Sequence, residues 1–149
     1  MTGWSRRAAG LGVGMVLALL AGCSGSPTHE MATSAAPSTA AGVGKVTTSP
    51  DGVQEITLQT QDDYRFTPSH FTVAPGKVRL TVTDVGKDMV HNFRFTPGKG
   101  PEPISANIPI VHPGEKQTVE FTVTKPGSYP FECTFHIPEG MVGTMTVSG

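Results

Sequence analysis

The chain has 149 residues, 37% apolar and 15% charged, with 18 glycines, 13 prolines, two cysteines and a formal net charge of −1. This composition fits one small domain rich in turns and short strands, and a slightly negative net charge disfavours nucleic-acid binding.

At the N-terminus, Arg6 and Arg7 precede an apolar run from Ala8 to Leu20 that is interrupted by Gly10, Gly12 and Gly14. A basic start, an apolar middle and small residues after it describe an export signal, and the run is short for a membrane span. An uncleaved anchor helix is the alternative. Leu20-Ala21-Gly22-Cys23 closely resembles a bacterial lipobox. That resemblance implies a signal peptide over 1–22 and a lipid on Cys23, which becomes the mature N-terminus. The protein is then exported and anchored to the outer face of the cell membrane, or in the periplasm, and Cys23 is no disulfide partner for Cys133. Residues 24–52 are dominated by Ser, Thr, Ala, Pro and Gly. With so few large apolar side chains they cannot offset ordering entropy, so 23–52 is expected to be a flexible tether reaching about 30 Å.

From Val53 to Gly149 the pattern turns to period two. Ile56 and Leu58, then Val78, Leu80 and Val82, then Val119, Phe121 and Val123 alternate with polar residues, as strands with one buried face do. Turn residues fall at Pro75-Gly76, Asp84-Val85-Gly86, Pro97-Gly98, Pro113-Gly114 and Pro126-Gly127. Short strands at such intervals predict an all-β sandwich. Gly98 to Ile110 holds Pro101, Pro103 and Pro109 without clean periodicity and is expected to be an irregular crossover, with room for a short helical turn. His70 reads as a surface or edge residue, His112 as a solvated turn residue, and the aromatic residues from Phe71 to Phe131 as core.

The chemistry concentrates near the C-terminus, where Cys133, His136 and Met141 share one short loop between two strand-like runs. A thiolate, an imidazole and a thioether suit copper, and a trigonal site of two imidazoles and one thiolate with a weak thioether is the mark of blue-copper electron-transfer centres. The second imidazole is expected from His91, in the alternating segment Met89–Phe95. Three other readings of these residues stand beside this one. A lone cysteine is commonly a small buried hydrophobe. A cysteine nucleophile would need a context that nothing here supplies. Zinc accepts one cysteine and two histidines, but a thioether is a poor zinc ligand.

The run from Tyr129 to Glu132, then Cys133-Thr134-Phe135-His136 and Gly140-Met141-Val142-Gly143-Thr144, resembles the copper loop of small cupredoxins. Two residues between Cys133 and His136 and four between His136 and Met141 match plastocyanin-like spacing. Phe66, Pro68, Phe71, Val73 and Pro75-Gly76 resemble the family's second strand, and His91-Asn92 its first ligand. The resemblance covers roughly the last hundred residues and implies a Greek-key sandwich holding one copper ion that alternates between Cu(I) and Cu(II). It further implies His91, Cys133 and His136 as the strong ligand plane and Met141 as the long contact, with Asn92 and Thr134 bracing the two ligand segments. An apolar collar of Ile137, Pro138 and Gly140 around His136 would form the electron port.

In one place the chain departs from the plastocyanin pattern: Glu132 stands where those proteins carry a tyrosine, which puts a second, lateral docking route in doubt. From Asp51 onward eight Lys and Arg face eleven Asp and Glu, too mild an excess to name a partner. The expected function is that of a non-enzymatic, membrane-tethered, monomeric carrier of single electrons between redox proteins. A copper module that buffers or delivers the metal outside the cytoplasm is the alternative.

Overall fold

The computed structural model describes residues 41–149. The expected signal peptide, Cys23 and the tether as far as residue 40 lie outside the described residues. Nine strands follow in chain order: β1 (Thr47–Thr48), β2 (Gln54–Thr60), β3 (His70–Val73), β4 (Gly76–Asp84), β5 (His91–Phe95), β6 (Asn107–Val111), β7 (Lys116–Val123), β8 (Gly127–Glu132) and β9 (Val142–Val147). They form two sheets, ordered β1-β2-β4-β7 and β3-β9-β8-β5-β6. The chain crosses between them after β2, β3, β4, β6 and β7, which gives the expected all-β Greek-key sandwich.

Alternation builds the core. Val78, Leu80 and Val82 of β4 are fully buried, as are Phe93, Phe131 and Met145 of the facing sheet. Phe66, Phe93 and Phe131 pack edge to face or tilted at centroid distances of 5.1–6.1 Å. Fully burying each such side chain stabilises the fold by roughly 1.5–3 kcal/mol before entropy is counted.

Two expectations are corrected. The stretch 98–110 is irregular only as far as 106, contains no helical turn, and continues as β6, whose partner is β5. Pro109 hid this strand, since it spoils the period-two pattern, but β6 is a sheet edge where a missing N–H is tolerated. The register slips between His91 and Phe93, so Asn92 lies opposite a bulge. Likewise, part of the expected tether is paired. The Gly44 N–H donates to the Thr57 carbonyl at 2.9 Å, and Thr47 and Thr48 pair with Glu55 and Gln54. Main-chain pairing needs no large side chains, so composition could not reveal it.

Glu102 ties down the crossover. Its carboxylate accepts the Thr124 and Lys125 N–H groups at 2.6 and 3.1 Å and the Thr124 hydroxyl at 2.9 Å. Those donors hold its pKa below the usual carboxylate value.

All of the loops that matter chemically meet at one end of the sandwich. Thr60 pairs with Asp84, Thr83 with Lys116, His91 with Val111, and Glu132 with Val142. The connections 61–69, 85–90, 112–115 and 133–141 therefore leave the sheets side by side.

Gly143 marks the tightest approach near that end: a Cβ there would meet the Phe131 ring and the Ser69 carbonyl. Gly143→Ala is expected to lower the unfolding free energy by about 1–3 kcal/mol in urea titration, as overpacking does. An unchanged midpoint would show that the Phe131 ring has room to yield.

Candidate metal centre

His91 opens β5, and the segment leading into it is pinned from the neighbouring loop. Asp62 accepts the N–H groups of Lys87, Asp88 and Met89 at 2.9, 3.2 and 3.0 Å, and these donors lower its pKa. One residue earlier, the Gln61 carbonyl lies 3.1 Å from His91 Nε2. A carbonyl only accepts, so Nε2 carries the proton and Nδ1 is left with its lone pair. Nδ1 is buried and has no partner, a state that costs about 1–3 kcal/mol unless something else satisfies it. Burial also lowers the His91 pKa, which favours the neutral, metal-binding form.

Cys133 follows β8 directly and is fully buried. Where the β5–β8 ladder runs out past Arg94 and Glu132, the Asn92 N–H donates to Cys133 Sγ at 3.4 Å instead of to a carbonyl. The Asn92 side chain then closes a two-way link, donating to the Thr134 hydroxyl at 2.6 Å and accepting from the Thr134 N–H at 2.7 Å.

The loop from 133 to 141 is wound by its own backbone. His136 N–H donates to the Cys133 carbonyl at 3.1 Å, Met141 N–H to the His136 carbonyl at 3.1 Å, and Cys133 N–H to the Met141 carbonyl at 3.0 Å. Gly140 turns the chain with φ +82°, a conformation glycine adopts without strain. Cys133 Sγ and His136 Nδ1 come within 3.5 Å, and the donor atoms of His91, Cys133 and His136 all lie within 4.8 Å of one another. A buried lone pair without a partner, a buried sulfur and a second imidazole on one point fit a soft metal cation.

Among the residues singled out from sequence, His91, Cys133 and His136 converge, Asn92 and Thr134 are joined, and Met141 is fully buried at the end of the same loop. Ile137, Pro138 and Gly140 are exposed on its outer side. His70, on edge strand β3, bonds Ser69, and His112 sits in the 112–115 turn; neither joins the cluster. Sequence reasoning missed Gln61, Asp62 and Tyr64. They fall in a polar turn without periodicity, and only the fold brings that turn to the site.

Glu132, which carries no partner signal in the sequence, is nearly buried. Its Oε1 accepts Arg94 Nε and Nη2 at 2.9 and 2.7 Å, and its Oε2 accepts the Thr96 hydroxyl at 2.9 Å. An ion pair thus occupies the flank beside Cys133.

A family model described as copper binding proteins of the plastocyanin/azurin family matches residues 53–148. The chain belongs to this family. Its cofactor is one copper ion, and the clustered side chains are placed to hold it. Among curated relatives of this cupredoxin, the minor chloroplastic plastocyanin of Arabidopsis thaliana is 36% identical over 99 residues, 62% of this chain and 57% of that protein. Plastocyanin of Nostoc punctiforme is 35% identical over 92 residues, 56% of this chain and 65% of that protein. The chain therefore spans less than two thirds of each of these relatives. Among solved structures, reduced auracyanin of Roseiflexus castenholzii superposes with a TM-score of 0.58 at 24% identity, covering 69% of this chain and all of that one. Auracyanin A of Chloroflexus aurantiacus superposes with a TM-score of 0.56 at 22% identity, covering 65% of this chain and all of that one. At these identities the superpositions show the fold.

Because Asn92 joins two ligand-bearing segments distant in sequence, Asn92→Ala leaves Thr134 N–H and hydroxyl without these partners. Expected is a loss of about 1–3 kcal/mol in chemical unfolding, together with faster copper loss to a chelator. A variant that matches wild type in both would remove Asn92 from the framework of the site.

Proposed function

We propose that this protein is an exported, lipid-anchored, monomeric cupredoxin that carries single electrons between redox proteins and catalyses no reaction of its own. In this reading His91 Nδ1, Cys133 Sγ and His136 Nδ1 hold the copper ion, and the Met141 thioether adds a weaker fourth contact that favours copper over zinc. Bound there, copper supplies exchange of one electron between Cu(I) and Cu(II).

The protein's own residues account for the rest. Gln61 fixes the His91 tautomer. Asn92 and Thr134 keep the two ligand segments at one spacing, and the Asn92 N–H draws charge from the Cys133 sulfur. A framework that stays put when the charge at its centre changes lowers the reorganisation that accompanies electron transfer.

One observation carries the choice of carrier over copper buffer. Every large apolar side chain exposed among the described residues lies at the copper end or at its margin: Tyr64, Val85, Ile110, Phe135, Ile137 and Val142, 36–51% exposed. His91, Cys133 and Met141 are fully buried beneath them, and His136 is half-buried. An apolar face over a closed site suits a brief docking encounter, whereas metal delivery needs ligands that an acceptor can reach. The Arg94–Glu132 pair on the other flank argues for a single port at His136.

Copper-loaded protein is expected to be intensely blue through charge transfer from the Cys133 thiolate, and Cys133→Ser to be colourless. A fully copper-loaded wild type without visible absorption would overturn the copper-centre assignment. Ile137→Asp puts a charge in the apolar collar without touching a ligand. Electron self-exchange, read by NMR line broadening, is expected to fall by about ten- to a hundredfold, because an unpaired charge at an interface costs a few kcal/mol. Slow wild-type exchange that this variant leaves unchanged, with rapid copper loss to a chelator, would establish the buffer instead. For the anchor, wild type is expected to sediment with membranes and Cys23→Ala to remain unlipidated. An unmodified Cys23 on the exported protein, seen by mass spectrometry, contradicts the lipoprotein reading.

A further inference from the structure

Tyr64 adopts φ 57°, the one positive φ at a residue other than glycine among the described residues. That region crowds Cβ against the backbone, and glycine or asparagine occupies it at lower cost than an aromatic residue. Strain of this kind persists where the surroundings enforce it, and it points to a role for the side chain. The surroundings do enforce it. The turn is closed below by reciprocal bonds between Gln59 and Thr67 at 2.8 Å, and the Asp63 N–H donates to the Gln61 carbonyl at 2.8 Å. Asp62 is held by the three N–H groups from 87–89, and Phe66 is locked in the core.

From this fixed turn the Tyr64 ring meets the His136 imidazole edge to face, with centroids 5.1 Å apart and planes at 68°. The two imidazoles of the site are thus braced from the same turn by different means. Gln61 fixes His91 through a backbone carbonyl on Nε2. Three residues later, Tyr64 meets His136 through its ring. His136 needs such a brace more, since it is half-buried while His91 is fully buried. Its further ring neighbours are His91 at 5.0 Å and the exposed Phe135 at 6.4 Å.

We infer that Tyr64 is the positioning residue of His136: its ring holds the half-buried imidazole in the orientation that faces His91 and Cys133, and the strained backbone at 64 is retained to place that ring. This extends the electron-port reading, on which its consequence for electron exchange rests. The positioning itself is a property of the metal-free protein as well.

The test compares Tyr64→Phe, which keeps the ring, with Tyr64→Asn, which suits the backbone and removes it, in the full chain labelled with nitrogen-15 histidine. In metal-free protein, the His136 ring signals are expected to match wild type in Tyr64→Phe and to shift and broaden in Tyr64→Asn, while those of His91 stay put. Tyr64→Asn should unfold in urea no earlier than wild type, because the strain is relieved. If Tyr64→Asn does not fold, Tyr64→Gly provides the same comparison. With copper bound, self-exchange should fall about two- to tenfold in the ring-less variant, the span an aromatic pair is worth, and recover in Tyr64→Phe. Unchanged His136 signals in the ring-less variant would overturn the inference, and so would equal losses in Tyr64→Phe and Tyr64→Asn. The ring signals need no electron transfer. Slow wild-type exchange indifferent to Ile137→Asp would therefore end the carrier reading and leave this one standing.

Discussion

The link between residues 91–92 and 133–134 is the constraint on which the rest depends. His91 ends a connection from one sheet, Cys133 opens a loop on the other side of β5, and forty-odd residues separate them in sequence. Three contacts hold them together: Asn92 N–H to Cys133 Sγ at 3.4 Å, and the two bonds between the Asn92 amide and Thr134 at 2.6 and 2.7 Å. A slip of one residue in either strand would turn the ligand to the opposite face. The core aromatics Phe93 and Phe131, one on each strand and both fully buried, make such a slip expensive, so core packing and ligand spacing reinforce each other.

Around that link the site divides into a rigid interior and a yielding exterior. Inside, the His91 tautomer, the Cys133 sulfur and the Met141 turn are all set by backbone groups, which have little freedom once the sheets form. Outside, His136 relies on side-chain contacts with Tyr64 and Phe135, which lie on the face a partner would touch. Burial at the ligands and exposure at the collar would answer the two demands of the proposed carrier, an interior that does not rearrange when its charge changes and an exterior that parts from a partner quickly.

Much of this was legible in the sequence because the chemistry is local. Cys133, His136 and Met141 lie on one loop, and the spacing that permits their three backbone bonds is visible as a motif. The strands with alternating Val and Leu were equally plain. What escaped notice depends on long-range pairing. β6 was hidden by Pro109, which is harmless at a sheet edge; residues 43–48 were hidden because backbone pairing leaves little trace in composition. Gln61, Asp62 and Tyr64 read as an ordinary polar turn, and only the parallel pairing of β2 with β4, Thr60 beside Asp84, carries them to the metal centre. Glu132 illustrates the same limit, since its burial follows from Arg94 on the adjacent strand and Thr96 just beyond that strand's end.

In the proposed centre the scaffold, not the metal, sets the geometry of the site. Crystal structures of the metal-free, Cu(I) and Cu(II) forms test it most directly. The account predicts that His91 Nδ1, Cys133 Sγ and His136 Nδ1 keep their mutual positions within about 0.5 Å across all three, the tolerance of a preorganised site. A metal-free or Cu(I) form in which Cys133 or His91 swings away, or in which the Asn92–Thr134 bonds break, would contradict it.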